Sequence, residues 1–338
     1  MNKVRWGILG VAKIALNRVI PAMKSSSNSA VVAIASRDLA RAREAAAKAG
    51  IERAYGSYEE LLADPTIEAI YNPLPNHMHV EWSIKAMEAG KHVLCEKPIS
   101  LTAAEAEKLV GARERTGRLI EEAFAIRNHP QWAALREVID SGEIGAVRGV
   151  QTMLCMNSRD PNDIRNKADI GGGALYDLGS YAITGCRMTF NAEPVRAIGV
   201  FDIDPEFKTD RLTSAILEFP NGQATFIVSM QAGPTTGGTH QHLGVIAERG
   251  WIRGDFPYSH AITSDCHLYI GDTQSIGFHH KRVLTFPPVN QYQLQAERFS
   301  RLVRGETASQ FPIETAIANM RVIDALRRSR DSRAWETV

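Results

Sequence analysis

Two rhythms of apolar and polar positions run along this chain, and the first gives way to the second just past Phe124. Up to that point, short β-prone apolar runs alternate with stretches of helical periodicity. Val4 to Leu9 reads as a buried strand closed by Gly10, and Ala12 to Met23 as a helix that Pro21 should kink or end. Ala30 to Ala35 is a second strand. Asp38 then caps the Ala-rich helix Leu39 to Ala49, which Gly50 closes. A short helix over Tyr58 to Ala63 leads to a strand over Ile67 to Tyr71. Val80, Ile84 and Met87 share one helical face, and Val93 opens another strand. The Thr102-x-x-Glu105 capping box starts a helix running to about Thr116, and Leu119 to Phe124 is a further strand. Strands alternating with helices at this spacing predict a parallel sheet covered on both faces.

Beyond Phe124 a helix over Pro130 to Asp140 precedes a series of β-prone segments. These are Val147 to Cys155, Val195 to Asp202, Leu212 to Phe219, Ala224 to Met230, His242 to Ala247 and His267 to Ile270, with Asn221-Gly222 as a hairpin signal. One helix interrupts them, opened by Gly171-Gly172-Gly173 and running from Leu175 to about Met188. Two more, about Gln291 to Arg304 and Pro312 to Arg328, close the chain. The expected fold class is α/β, with a doubly wound parallel sheet over residues 1–123. A second α/β domain with an open, mainly antiparallel sheet follows over residues 124–338. A length of 338 residues also favours two domains over one core.

Composition narrows the function classes. With 44% hydrophobic and 23% charged residues the chain is an ordinary globular one, and a net charge of +1 gives no electrostatic footprint for nucleic acid. Four scattered cysteines without a C-x-x-C pair read as reduced structural thiols rather than disulfides or metal ligands. His77-x-His79 and His240-x-His242 lack the Cys-rich partners that a zinc alcohol dehydrogenase needs. Met1 to Lys3 run straight into a strand, leaving no room for a signal peptide. No apolar stretch approaches a membrane span, so no membrane partner is expected and the cytoplasm is the expected compartment.

Polar residues and glycines concentrate at the carboxyl ends of the first-half strands, where parallel sheets bind ligands: Gly10, Ser36-Arg37, Pro73 to Asn76, Glu96-Lys97 and Arg127-Asn128. Gly10, Ala12 and Ala15 occupy the small positions of a dinucleotide fingerprint, with alanine where glycine is preferred in the middle. A carboxylate at the second strand end would accept from a free ribose 2′-hydroxyl and repel a 2′-phosphate. Ser36-Arg37 does the opposite, so NADP is expected over NAD. Val93-Leu94-Cys95 ends in Glu96-Lys97-Pro98, a strand that must stop at its proline with a lysine at the ligand end. On the glycine-opened helix Asp177 and Tyr181 are four apart. They form an acid and a phenol on one face, suited to acid–base work.

Gly7-x-x-Gly10 through Ala15, Pro75-Asn76-x-x-His79, Glu96-Lys97-Pro98, Glu122-Ala123-Phe124 and Gly171-Gly172-Gly173-x-x-x-Asp177-x-Gly179 together resemble the Gfo/Idh/MocA family of NAD(P)-dependent oxidoreductases. Tyr181, where many relatives carry histidine, resembles the branch of dimeric dihydrodiol dehydrogenases and NADP-dependent D-xylose dehydrogenases. So do Trp6-Gly7-Ile8-Leu9-Gly10 and Val19-Ile20-Pro21-Ala22-Met23. The resemblance implies a Rossmann domain, a catalytic Lys97 often followed by a cis proline, and Asp177 in the substrate site. It implies cofactor contacts from Gly10, Ala12, Lys13, Ile14, Ser36, Arg37, Leu74, Asn76, His79, Glu96 and Lys97, with Arg165 near the nicotinamide. The implied reaction is hydride transfer to or from a sugar- or polyol-like small molecule. Tyr181 would move the proton, assisted by the Lys97 ammonium. The rival readings are a non-catalytic NADP-binding sensor or scaffold, and a sugar ketone reductase of the anhydrofructose type. The open sheet face, with Ile216, Leu217, Phe219, Phe226 and Val228 on its strands, implies a homodimer or a tetramer built from dimers.

Overall fold

The computed structural model describes residues 2–234, 238–259, 263–272 and 281–338. Runs that are apolar at every position become strands buried on both sides, as a covered parallel sheet requires. β1 (Val4–Leu9), β2 (Ser29–Ala35), β3 (Arg53–Tyr55), β4 (Ala69–Asn72), β5 (His92–Glu96) and β6 (Ile120–Ala123) form one sheet in the order β3-β2-β1-β4-β5-β6. All its pairs are parallel, in the order of a dinucleotide-binding doubly wound sheet. The connections include α1 (Ile20–Ser25), α2 (Leu39–Ala49), α3 (Tyr58–Ala63), α4 (His79–Glu88) and α5 (Ala103–Thr116). Asp38, Ser57 and Thr102 cap α2, α3 and α5 by accepting backbone amides, as their residue types lead one to expect.

Two local departures have physical causes. The helix expected over Ala12 to Met23 divides into a π-helical turn, Ala15–Val19, followed by α1. Pro21 has no amide to offer the helical ladder, and the widened turn lies just before it. β3 has three half-buried residues at the sheet edge and no apolar run to announce it.

The second half contains α6 (Pro130–Asp140), β7 (Val147–Cys155), α7 (Ser180–Phe190), β8 (Arg196–Ile203), β9 (Asp210–Phe219) and β10 (Gly222–Ser229). It continues with β11 (His240–Ala247), β12 (Gly250–Gly254), β13 (Cys266–Asp272) and β14 (Arg282–Phe286). Then come α8 (Gln291–Val303), α9 (Ile313–Ser332) and β15 (Glu336–Thr337). The second sheet runs β14-β13-β12-β11-β7-β10-β9-β8-β15, antiparallel throughout except for the β7–β10 pair. The expected hairpin joins β9 to β10. β12, β14 and β15 escape sequence reading. β12 is bounded by glycines, while β14 and β15 are the two edges of the sheet. Leu217, Phe219, Phe226 and Val228 face the core. Of the five apolar residues singled out above, Ile216 alone is exposed, at 37%, with Val200, Ile227 and Ile246 exposed on other strands.

The chain divides into two compact units, Met1–Asn128 with Asn290–Ile317, and His129–Val289 with Ala318–Val338. The division expected at residues 123 and 124 therefore does not partition the chain cleanly, because α8 returns to the first unit. Trp6 explains its return: the indole donates to Ser300 Oγ (3.3 Å) and meets the fully buried Phe299 ring at a tilt, centroids 5.5 Å apart. The four cysteines are buried and free.

Candidate active-site residues

In the first unit the nucleotide loop begins at Gly10, whose φ of 82° is a conformation that residues with a Cβ rarely adopt. A Cβ there would also stand 2.9 Å from Leu74 Cδ2. The open backbone at this turn is the cradle that a pyrophosphate needs, so the residues fit a dinucleotide. Ala12 and Ile14 are half-buried after it and Lys13 is exposed. At the end of β2, Ser36 Oγ accepts the Asp38 amide (3.3 Å), which leaves its hydroxyl proton to donate. The Asp38 carboxylate is committed to the amides of Ala40 (2.8 Å) and Arg41 (3.3 Å), while Arg37 is exposed. Tyr58 is a residue that sequence reasoning missed. Its hydroxyl stands 3.7 Å from the space a Gly10 side chain would take. Burial raises this phenol, and the charges of Arg37 and Arg41 act against that rise.

The ends of β4 and β5 form a second cluster. The Lys97–Pro98 peptide is cis. Glu96 accepts the Tyr71 hydroxyl (2.6 Å) at one oxygen and the Lys97 amide (3.3 Å) at the other, and burial pushes its carboxyl up. Lys97 itself is half-buried. Leu74 is buried, and Asn76 opens a short 3-10 turn before α4. His79 is 1% exposed, with Nδ1 2.8 Å from Pro98 O and Nε2 2.6 Å from Leu74 O. The neutral ring carries one N–H, so it donates to one of these carbonyls while its other nitrogen faces the second, and the side chain supports the two loops from behind. Burial pushes this imidazole down to about 4.

In the second unit the expected helix opens as a π-helical turn, Leu175–Gly179, and continues as α7. The glycines before it permit approaches that no side chain would allow. A Cβ on Gly172 would lie 2.6 Å from the carbonyls of Arg165 and Lys167, and one on Gly173 (φ 118°) 2.0 Å from Asp210 Oδ1. Asp210, from the start of β9, fills that space. It accepts the Leu175 amide (2.7 Å) and the Thr213 hydroxyl (2.6 Å), and burial pushes its carboxyl up to about 6. The signal for Asp210 was negative: Gly173-Ala174-Leu175 offers no Ser, Thr, Asp or Asn to cap its own helix.

Between Gly173 and Arg187 every residue is buried except Asp177 and Tyr181. The π-helical turn alters the angular spacing assumed for an α-helix, yet these two still reach the surface together. Arg165 Nε donates to Asp177 Oδ2 (2.9 Å), and its NH1 lies 3.3 Å from Asp163 Oδ1. Asp177 first, then Asp163, raise the guanidinium further above its ordinary value. Tyr181 meets Tyr258 edge-on, ring centroids 6.1 Å apart, and Tyr258 is fixed through its hydroxyl, 2.5 Å from Thr152 Oγ1. Among the described residues no group of His, Cys, Asp and Glu could hold a metal ion, and no helix is long and apolar enough to cross a membrane.

Residues 4–124 match the Gfo/Idh/MocA family model, described as an oxidoreductase family with an NAD-binding Rossmann fold, and residues 132–253 match the Gfo/Idh/MocA C-terminal domain. An uncharacterized oxidoreductase of Rhizobium meliloti is 47% identical over 339 residues, covering 100% of both chains. A D-xylose 1-dehydrogenase (NADP(+)) of Haloferax volcanii is 34% identical over 331 residues, 97% of this chain and 98% of that one. A 3-ketoreductase from Actinomadura kijaniata, solved in complex with NADP and TDP-benzene, superposes with a TM-score of 0.88. It is 27% identical, over 97% of this chain and 98% of that one. The same 3-ketoreductase has been crystallised with a lysine replaced by alanine and with a tyrosine replaced by phenylalanine.

Proposed function

The chain belongs to the Gfo/Idh/MocA family of NAD(P)-dependent oxidoreductases, and we propose that it is an NADP-dependent dehydrogenase or reductase of a sugar- or polyol-like substrate. The observation that carries this reading is the glycine-opened stretch from Gly173 to Arg187, in which Asp177 and Tyr181 alone are not buried. A dinucleotide held at the nucleotide loop would supply or accept the hydride through its nicotinamide. Gly10, Ala12, Lys13 and Ile14 hold the dinucleotide backbone. Ser36 and Arg37 take the 2′-phosphate, and Leu74, Asn76, Glu96 and Lys97 line the far end of the cofactor. Tyr181 gives or takes the proton on the substrate oxygen, and Lys97 supplies a positive charge that favours the phenolate. Asp177, held by Arg165, accepts hydrogen bonds from substrate hydroxyls.

A panel of aldoses, ketoses and polyols, assayed with NADP(H) and NAD(H), tests the reading. Turnover of at least one sugar or polyol, faster with NADP(H), is the expected result. Tight NADPH binding without turnover on any of them would favour the sensor or scaffold reading.

For assembly we infer a homodimer, or a tetramer built from dimers. Val200 is 71% and Ile246 62% exposed on strands of the second sheet, an apolar surface that a second copy would cover. Light scattering at micromolar concentration should give at least twice the monomer mass, and a monomer would refute the inference.

A further inference from the structure

β6 carries two adjacent glutamates, and both are buried, at 1% and 2% exposure. A buried carboxylate is costly unless it is paired and hydrogen-bonded, so each needs a reason to be there. Glu121 serves packing: Arg298 of α8 grips it with both terminal nitrogens, and the Ser309 hydroxyl adds a bond of 2.7 Å. Glu122 turns to the neighbouring strand end. It stands opposite Cys95 in the β5–β6 register, and its Oε1 accepts the Ile99 amide at 3.0 Å. Its Oε2 lies 3.6 Å from the Arg127 guanidinium, which is itself covered by the rings of Phe124 and Phe311.

The Lys97–Pro98–Ile99 turn is thereby gripped at three backbone atoms. Glu96 accepts the Lys97 amide, His79 lies at Pro98 O, and Glu122 accepts the Ile99 amide. Proline has no amide, so Ile99 provides the first donor after the lysine. A lysine on a flexible four-carbon stem delivers its charge reproducibly only if the backbone beneath it is fixed. We infer that Glu122 is a positioning residue for Lys97, with Arg127 as the counter-charge beside its buried carboxylate. The inference rests on the role assigned to Lys97 above. It also gives work to the Glu122-Ala123-Phe124 motif, which no part of the proposed chemistry uses. Glu122 holds the turn, and Phe124 covers the arginine.

Two conservative variants separate positioning from simple structural support. Glu122→Asp keeps the charge facing Arg127 but withdraws the oxygen from Ile99. A displacement of about 1 Å at a catalytic group costs up to about 100-fold, so kcat should fall about 10- to 100-fold. NADPH affinity, read by fluorescence, should stay within about 3-fold, which also shows that the variant is folded. Glu122→Gln keeps an acceptor for Ile99 but removes the charge. It should recover most of the rate lost in the aspartate variant while lowering Tm, because Arg127 loses its partner. In a Lys97→Ala background, Glu122→Asp should change the residual rate by less than about 2-fold, since residues that act as a unit are non-additive. Wild-type kcat in Glu122→Asp would overturn the inference. So would a glutamine variant as slow as the aspartate one, or an undiminished effect in the Lys97→Ala background. Wild-type kcat in Lys97→Ala alone would instead remove the reading of Lys97, and this inference with it.

Discussion

Lys97 stands on a turn whose backbone atoms are taken by side chains, those of Glu96, His79 and Glu122, whereas Asp177 and Tyr181 stand on a helix whose opening glycines are approached by backbone carbonyls and the Asp210 carboxylate too closely for any Cβ. The first arrangement tolerates a change at the reactive residue, because the scaffold lies in other residues. The second tolerates almost none at its glycines, because the absence of a Cβ is the scaffold. Substitutions near Lys97 should therefore appear in rate, and substitutions near Gly173 in stability.

The largest effects belong to the reactive groups themselves. Lys97→Met and Tyr181→Phe should each lower the hydride-transfer rate about 10²–10⁴-fold, the usual range for general acid–base assistance. NADPH affinity should remain near normal, and in the double variant the losses should not multiply. A double variant as slow as the product of the two would separate the two residues into unrelated roles.

Next comes the glycine scaffold. Gly173→Ala places a methyl 2.0 Å from Asp210 Oδ1 at a φ of 118°. Left-handed strain, together with loss of the Asp210 bond to Leu175, should cost about 2–5 kcal/mol in urea unfolding. Gly10→Ala crowds the end of the Leu74 side chain and touches the Tyr58 hydroxyl at ordinary distance, so it should cost about 1–3 kcal/mol and show mainly as weaker cofactor binding. Equal destabilisation by the two would erase the contrast.

Arg37→Ala should raise the NADP Michaelis constant about 10-fold, the value of one charge-assisted hydrogen bond, and leave that for NAD nearly unchanged. Equal weakening of both cofactors would assign Arg37 to the fold or to the shared part of the nucleotide.

The two regions also respond to pH, and with opposite sign. The Asp210 carboxyl is raised from 3.8 to about 6, so the folded state binds its proton more readily than the unfolded one. Its contribution is full below about pH 4 and is lost as pH rises to about 6. The His79 imidazole is lowered from 6.5 to about 4, so the unfolded state binds its proton more readily. Its contribution is full above about pH 6.5 and is lost as pH falls toward 4. Asp210→Asn should therefore gain stability relative to wild type as pH rises from 4 to 6. His79→Gln should gain relative to wild type as pH falls through the same interval. Differences in Tm that do not vary with pH would show that neither group titrates as its burial demands.

The parallel sheet was legible because buried strands and capped helices leave continuous apolar runs and Asp, Ser or Thr at helix starts, as at Asp38 and Thr102. β3 and β15 were not, because two or three edge residues carry no period. The site was legible wherever a residue type is unusual for its place: a lysine ending a buried strand, three glycines in a row. Asp210 and Tyr258 were not legible, since each acts by reaching a distant segment. The return of α8 to the first unit depends on Trp6 and Ser300, 294 residues apart in sequence. His79 illustrates the intermediate case. Its motif pointed to the cofactor, but only the fold shows both ring nitrogens turned to backbone carbonyls.

The assignment of the proton to Tyr181 can be tested by one comparison, the pH dependence of kcat for substrate oxidation in wild type and in Tyr181→Phe. The wild-type rate should rise with pH through a single ionisation. In the variant the rate should be about 10²–10⁴-fold lower, and that ionisation should be gone. A variant that keeps the wild-type rate and the same ionisation would mean that another group carries the proton, and the role given to Tyr181 would be wrong.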